Sequence, residues 1–261
     1  LDYYRVRWQD ELRRVADFHL HWPGETYREA IHILVAGCGT GQAAKYALRQ
    51  PAAQIVGIDI SSTSIRSHLE LKEKYNLANL EVFQMPIEQV GRLGRQFDKV
   101  VCTGVIHHLI DPEVGLCALR DVLESDGALN LMVYAAYGRS GIYMLQEYCR
   151  RLGIGSSDKE IKDLANTLIA LSPAHPLARL LGESPDFTSL AGLADALLNP
   201  QDHAYSVPQL FDLLDRCGLS FTRWVRQAPY LAECGSLATT PHSTLLSKLP
   251  RIEQYAAVEL F

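Results

Sequence analysis

The chain has 261 residues, of which 48% are hydrophobic and 21% are charged. This composition is close to that of an average globular protein, and it excludes an intrinsically disordered chain, which buries too little apolar surface to offset its ordering entropy. With 25 lysines and arginines against 30 aspartates and glutamates, the net charge is −5. The chain as a whole therefore has no general attraction for nucleic acid, and none is expected as a partner.

Membrane, export and metal signals are all missing from the sequence. No apolar run approaches the roughly 18 residues of a transmembrane helix, and the first residues do not form the apolar region of a signal peptide. The six cysteines include no CxxC pair, so they fit reduced thiols and provide neither a zinc nor a dithiol redox motif. We therefore expect a cytoplasmic protein with no membrane partner and no metal site.

From Ile31 to Tyr134, apolar runs alternate with helical patterns. The five predicted strands are Ile31–Ala36, Gln54–Asp59, Leu80–Gln84, Phe97–Cys102 and Ala128–Tyr134. The predicted helices between them cover Gly41–Gln50, run from Ser61 or Ser62 to Tyr75, and run from Asp111-Pro112 to the Ser125-Asp126-Gly127 turn. Strands that alternate with helices indicate βαβ units, and hence an α/β protein with a parallel sheet.

After Tyr137 the pattern becomes helical. Two capping boxes, Ser157 with Glu160 and Ser206 with Gln209, mark helix starts. The segment Leu219–Arg226 alternates apolar and polar residues, which predicts a sixth strand. We therefore divide the chain into an N-terminal helical segment (1–30), an α/β core (31–136), an inserted helical cap (137–205) and a C-terminal part of the core (206–261).

The most informative motif is Ala36-Gly37-Cys38-Gly39-Thr40-Gly41-Gln42, directly after the first strand. Glycines let a ligand approach the backbone, and the amides of the following helix favour a carboxylate or phosphate. Asp59 ends the second strand, where its carboxylate is placed to accept hydrogen bonds from ribose hydroxyls. Because the spacing is GxGxG and not the dinucleotide fingerprint GxGxxG, it favours a nucleoside with an amino-acid tail over a nicotinamide dinucleotide.

Three segments together carry a family resemblance: AGCGTGQ in the glycine motif, GIDIS at Gly57–Ser61, and FDKVVCTGVIHHLIDP at Phe97–Pro112. They resemble the class I S-adenosylmethionine-dependent methyltransferases. The similarity is greatest to the bacterial small-molecule type, including the quinone-biosynthesis methyltransferases and the methyltransferase domains attached to tetratricopeptide repeats. The resemblance implies a Rossmann-like sheet with helices on both faces and a helical cap after the fifth strand. It also implies S-adenosylmethionine as cofactor and S-adenosylhomocysteine (AdoHcy) as product.

The resemblance also implies which residues contact the cofactor. They follow the first four strands: Gly37, Cys38, Gly39, Thr40, Gly41, Gln42, Asp59, Ile60, Met85, Pro86, Ile87, Glu88, Thr103, Gly104 and Val105. Two positions depart from the family pattern. Val35 stands where the family usually has an acid, and the segment after the third strand has Met85 where an acid often meets the adenine amino group. Glu88 or a backbone carbonyl would then accept from that group.

The acceptor is expected above the carboxyl ends of the fourth and fifth strands, beneath the inserted cap. His107, Tyr137 and Tyr205 are the candidate catalytic residues. Methyl transfer from a sulfonium is an in-line displacement, so the protein mainly aligns the reactants, and a base is required only when the acceptor arrives protonated. A closed cap favours a small-molecule acceptor. The alternatives are a non-catalytic S-adenosylmethionine-binding or scaffold protein and an aminopropyl transferase on the same fold.

Overall fold

The computed structural model describes residues 1–7, 9–199, 201–226 and 230–260. Its centre is a five-stranded sheet in which every neighbouring pair is parallel and the strand order is β3-β2-β1-β4-β5. The strands are β1 (His32–Ala36), β2 (Gln54–Asp59), β3 (Leu80–Gln84), β4 (Phe97–Thr103) and β5 (Leu123–Met132). The strand order reverses at β1, so the crevice between the carboxyl ends of β1 and β4 is where such sheets bind ligands.

The helices account for most of the remaining chain. Those before and between the strands are α1 (Asp2–Arg7), α2 (Glu11–His21), α3 (Gln42–Arg49), α4 (Ser62–Tyr75) and α5 (Pro112–Asp121). Those after the sheet are α6 (Ser140–Leu152), α7 (Asp158–Ile169), α8 (Ala178–Glu183), α9 (Leu190–Leu198), α10 (Val207–Arg216), α11 (Ser243–Leu246) and α12 (Arg251–Glu259). Short 3-10 helices cover Ile87–Leu93, Ile106–His108, Pro185–Thr188 and Ser236–Thr239. None of the described helices is long and apolar enough to cross a membrane.

The two faces of the sheet bury separate cores. Ile33 and Val35 of β1 pack with residues of α2 and α3, whereas Leu34 and Ala36 pack on the opposite face with residues of α5 and α10. This alternation is the expected result of a strand whose successive side chains point to opposite faces. The predicted α/β fold with helices on both faces is therefore confirmed. Val35, which stands at the family's acidic position, is fully buried.

The cap helices α6, α7 and α9 form a third core of their own. Both predicted capping boxes are present, at Ser157 with Glu160 and at Ser206 with Gln209. The chain returns to the sheet through an isolated parallel bridge between Ala135 and Tyr205. This bridge joins the end of the inserted segment to the chain just beyond β5.

Two sequence predictions about strands are wrong. Ser125-Asp126-Gly127 is not a turn that ends α5, because β5 already begins at Leu123 and runs through that triplet. The pairing of β4 with β5 shifts register between Phe97 and Lys99, which accommodates the triplet within the strand. Leu219–Arg226 is not a strand. Its alternating residues pack elsewhere: Phe221 lies 4.8 Å from Phe211 and 5.9 Å from Tyr255 between ring centroids.

A buried ion pair joins α2 to β4. Lys99 of β4 is 1% exposed, and its Nζ lies 3.3 Å from Oδ2 of Asp17 in α2. Burial lowers the pKa of Lys99, and the Asp17 carboxylate opposes that shift. At the end of the same helix, the Trp22 indole donates to the carbonyl of Asp126 in β5 at 2.8 Å. Helix α2 and the residue that caps it therefore contact both β4 and β5.

We expect Asp17→Asn to lower the free energy of unfolding by about 3–5 kcal/mol, because it leaves a buried ammonium without its counter-charge. Asp17→Leu combined with Lys99→Met should recover at least about 2 kcal/mol of that loss, since the buried ammonium is then removed together with its partner. Urea denaturation measures both. The control is Asp121→Asn, which breaks the exposed pair with Arg120 and should cost at most about 1 kcal/mol. Equal losses in Asp17→Asn and Asp121→Asn would contradict the prediction.

Candidate functional site

The glycine loop connects β1 to α3 and has a left-handed backbone at two glycines. Gly37 has φ +67° and Gly39 has φ +54°. A Cβ at Gly37 would lie 2.3 Å from Cγ2 of Val105, whereas a Cβ at Gly39 would meet no atom within 4 Å. Gly37 is therefore required for close packing of the loop against the segment after β4. Gly39 leaves open space in front of the loop.

Asp59 joins the glycine loop to the start of α4. Its Oδ2 accepts from the backbone N–H of Gly39 at 2.8 Å, and its Oδ1 accepts from the N–H of Ser61 at 2.8 Å. Ser61 also caps α4 with its own hydroxyl. Each carboxylate oxygen has a further lone pair, so Asp59 keeps acceptor capacity for hydroxyl groups of a ligand.

The end of β4 meets the same loop. Nε2 of Gln42 donates to Oγ1 of Thr103 at 2.7 Å, which joins the first residue of α3 to the last residue of β4. Gly104 follows with φ +76° and donates its N–H to the carbonyl of Met132 at 3.1 Å. The side chains predicted from three separate motifs are therefore brought together at the carboxyl edge of the sheet.

Two residues beside Asp59 present apolar surface. Ile60 is 72% exposed, and Met85 is half-buried with its N–H donating to the carbonyl of Asp59 at 3.0 Å. Ile87 is only 4% exposed and packs in the core, while Glu88 is exposed and Pro86 starts the 3-10 helix. Of the predicted cofactor contacts Met85 and Ile87, Met85 is therefore accessible and Ile87 is not. Ile60 adds accessible apolar surface on the other side of Asp59.

Cys38 and Thr40 take part in the loop through their backbone groups. Burial raises the pKa of the Cys38 thiol to about 12, and its Sγ lies 3.8 Å from Nδ1 of His68, away from the loop's open side. The N–H of Cys38 donates to the carbonyl of Ile58, and the carbonyl of Thr40 accepts from the Ser67 hydroxyl. These bonds hold the loop in a fixed conformation between β2 and α4.

His107 is fully buried beneath an aromatic ring. Its imidazole lies 3.8 Å from Tyr134 between ring centroids, and the Arg139 guanidinium lies on Tyr134 at 3.6 Å. Burial lowers the pKa of His107 to about 3, and the neighbouring His108, Arg139 and His203 add to the shift. The imidazole is therefore neutral near neutral pH.

Tyr205 is one of the two residues of the bridge at the end of the cap, and Tyr137 lies two residues after the other, Ala135. Tyr137 is 51% exposed. The ring of Tyr205 packs with the core shared by β4 and α5, and burial raises the pKa of its hydroxyl. Its backbone holds the bridge, because its N–H donates to the Tyr134 carbonyl at 2.9 Å and its carbonyl accepts from Ala136 at 3.0 Å.

The end of the cap covers the segment after β4. The N–H of His203 donates to the carbonyl of His107 at 2.8 Å, and Nδ1 of His108 lies 2.9 Å from the carbonyl of Gln201. Beyond β5 lies a cavity of about 390 Å³. It is lined by Ala135 and Gly138 and by C-terminal residues: Tyr230, Leu231, Gly235, Ser236, Leu237, Val258 and Glu259. These C-terminal residues lie in no motif, so the sequence does not predict them as site residues.

Sequence comparisons connect this geometry to known proteins. Residues 34–129 match the family model described as a methyltransferase domain. An uncharacterized protein of Synechococcus sp. is 33% identical over 199 residues, which are 72% of this chain and 47% of that protein. The ubiquinone biosynthesis O-methyltransferase of Acinetobacter baylyi is 28% identical over 131 residues, which are 47% of this chain and 55% of that enzyme. The chain thus spans about half the length of these relatives.

Among solved structures, PKMT2 from Rickettsia typhi matches with a TM-score of 0.73 and 19% identity, over 90% of this chain and 47% of that one. The same protein in complex with AdoHcy matches with a TM-score of 0.73 and 16% identity, over 92% of this chain and 48% of that one. At these identities the likeness shows the fold. It extends over most of the chain, well beyond the residues of the family match.

We expect Gly37→Ala to destabilise the protein more than Gly39→Ala. Both place a Cβ on a left-handed backbone at a cost of about 1–2 kcal/mol. Only Gly37→Ala also collides with Val105, and this overpacking should add about 1–3 kcal/mol. The free energies of unfolding from urea denaturation measure the difference. An equal loss in both variants would show that Val105 moves aside freely.

Proposed function

We propose that this chain, which carries a class I S-adenosylmethionine-dependent methyltransferase domain, transfers the methyl group of that cofactor to a small-molecule acceptor by in-line displacement. The cavity of about 390 Å³ beyond β5 carries the small-molecule part of the proposal. Its volume is in the range of small-molecule sites, which are about 300–1,000 Å³. The cap is joined to the sheet beside it, at the bridge from Ala135 to Tyr205.

In this proposal the glycine loop holds the amino-acid end of the cofactor. Gly39 leaves open space, and the loop leads into the N-terminus of α3, where backbone amides favour a carboxylate. Asp59 accepts from the ribose hydroxyls, with Ile60 and Met85 beside the adenine. Gly41, Gln42, Thr103, Gly104 and Val105 line the path toward the reacting methyl group. When bound, the cofactor supplies an electrophilic methyl group on a good leaving group.

The acceptor side is assigned to the cavity and to the residues around it. Glu259 is the carboxylate of that cavity, and its Oε2 accepts from the N–H of Val207 at 2.7 Å. Burial raises the pKa of Glu259 above its ordinary value. A raised pKa suits a general base, so Glu259 is proposed to take the proton of an acceptor that arrives protonated. The reaction otherwise needs only alignment and exclusion of water.

The three residues expected to be catalytic take different parts in this proposal. Tyr137 lies in sequence between the two cavity residues Ala135 and Gly138 and has an exposed ring, so it is proposed to contact the acceptor. Tyr205 holds the cap bridge through its backbone. His107 is neutral and buried beneath Tyr134, which favours a positioning part over proton transfer.

The proposed division of the chain follows from these parts. Residues 31–136 hold the cofactor, 137–205 form the cap with its separate core, and 206–261 complete the acceptor cavity. Residues 1–30 form a helical segment that includes α2, which is fixed beneath the sheet by Asp17.

We expect Asp59→Ala to raise the Kd for AdoHcy about 10- to 100-fold, because ribose hydroxyls would lose a hydrogen-bond partner. Isothermal titration calorimetry measures this. Asp163→Ala, at an exposed acid of α7, should leave the Kd within about twofold. Because Asp59 also holds two backbone N–H groups, Asp59→Asn serves as a second variant, and circular dichroism checks that each variant is folded. Unchanged affinity in folded Asp59 variants would refute the assignment.

The acceptor class is tested with cofactor that carries a tritiated methyl group. A bacterial extract is separated by ultrafiltration into small-molecule and macromolecular fractions, and each is incubated with the protein. We expect label transfer and AdoHcy formation with the small-molecule fraction. Label that enters only the protein or nucleic-acid fraction overturns the small-molecule proposal, and AdoHcy binding without transfer to any fraction favours a non-catalytic binding protein.

The same assay tests Glu259. Glu259→Gln keeps an oxygen that accepts from Val207 but cannot take a proton, so the rate of AdoHcy formation should fall by about 10²–10⁴. Glu253→Gln is the matched control, since Glu253 is an exposed acid on the same helix α12. AdoHcy affinity should be the same in both variants. An equal rate in both would show that the acceptor needs no base from Glu259.

A further inference from the structure

We propose that His107, His108 and Asp202 bind a divalent first-row transition-metal ion of the zinc class. One ligand atom from each of these residues lies within 4.8 Å of the others. The two histidines belong to the short 3-10 helix after β4, and Asp202 lies between α9 and α10 at the end of the cap. The ion would therefore join the cap to the loop that follows β4. The site contains no cysteine, so the spacing of the cysteines in the sequence gives no indication of it.

The state of the His107 imidazole is an independent indication of a missing ligand. His107 is fully buried, and within the described part of the chain neither of its ring nitrogens has a hydrogen-bond partner. A buried polar group without a partner is costly and rare in native proteins. Oδ1 of Asp202 is also buried without a partner among the described residues. A metal ion between them would give a partner to one ring nitrogen of His107 and to the Asp202 carboxylate.

His108 and Asp202 are each oriented by hydrogen bonds to other residues. Nδ1 of His108 lies 2.9 Å from the carbonyl of Gln201 and 3.3 Å from Nδ2 of Asn199. Oδ2 of Asp202 accepts from Nε2 of Gln146 in α6 at 3.0 Å. In known metal sites, hydrogen bonds to the ligating side chains orient those side chains in this way. Here they come from the cap, so the ligand set depends on the cap being in its observed position.

The donor set selects the class of ion. Two imidazoles and one carboxylate suit Zn²⁺, Fe²⁺, Co²⁺ and Ni²⁺, and three protein ligands leave further coordination positions open. Mg²⁺ and Ca²⁺ prefer oxygen ligands and are disfavoured. Because binding requires both the cap and the β4 loop, the ion should stabilise the folded protein whether or not an acceptor is present.

The test uses the whole chain after treatment with a chelator. Addition of Co²⁺ should produce visible absorption bands with one ion bound per chain, and excess Zn²⁺ should displace it and raise the melting temperature by about 5 °C. AdoHcy affinity is measured in parallel with and without Zn²⁺. It should not change, so a failure here is distinguishable from a failure of the proposed methyl transfer.

Two pairs of variants make the test specific. His108→Gln and Asp202→Asn should each weaken Co²⁺ binding at least tenfold and abolish the thermal shift. His175→Gln and Asp163→Asn, at exposed positions of the cap, should leave both unchanged. Absence of stoichiometric Co²⁺ binding overturns the proposal. So does binding that is equally strong in His108→Gln and Asp202→Asn, because the ion would then lie elsewhere.

Discussion

The carboxylate of Asp59 is the point on which the geometry of the proposed cofactor site depends. It accepts backbone N–H groups from Gly39 and Ser61, which belong to two different turns of the sheet's carboxyl edge. A single side chain thereby sets the distance between the glycine loop and the start of α4. The loop is further fixed on its other side by Val105, which leaves room only for a glycine at position 37. A site held from two sides in this way is preorganised for its ligand.

The parts of the fold that sequence could predict are those governed by local chemistry. The glycine loop, the capping boxes and the Asp111 cap each depend on residues a few positions apart, and all are present. The start of β5 is not predictable locally. The triplet Ser125-Asp126-Gly127 is typical of a turn, but the pairing of β5 with β4 places it inside the strand. Similarly, the alternation in Leu219–Arg226 is satisfied by aromatic packing around Phe221 and not by a sheet.

The same distinction between local and long-range determinants applies to the candidate site. The residues proposed to hold the cofactor follow strand ends, where motif and position coincide, although the side chains of Cys38 and Ile87 are buried. The residues proposed to surround the acceptor are brought together by contacts between distant parts of the chain. Glu259 reaches the N–H of Val207, 52 residues earlier, and His108 meets Gln201 across 93 residues. No local pattern encodes such contacts, because they arise only when the cap and C-terminal segment fold back over the sheet.

The hydrogen bond from Trp22 to Asp126 has a consequence for the free edge of the sheet. β5 is the last strand of the sheet, and in the described part of the chain no further strand pairs with its outer side. Such an edge is a template for intermolecular strand pairing. Near the start of β5 a strand carbonyl is occupied by an indole N–H, and Glu124 and Asp126 place charged, exposed groups along the same stretch. A strand from another molecule would meet an occupied carbonyl, the Glu124 carboxylate and the ion pair of Asp126 with Arg28 there, all of which disfavour strand pairing.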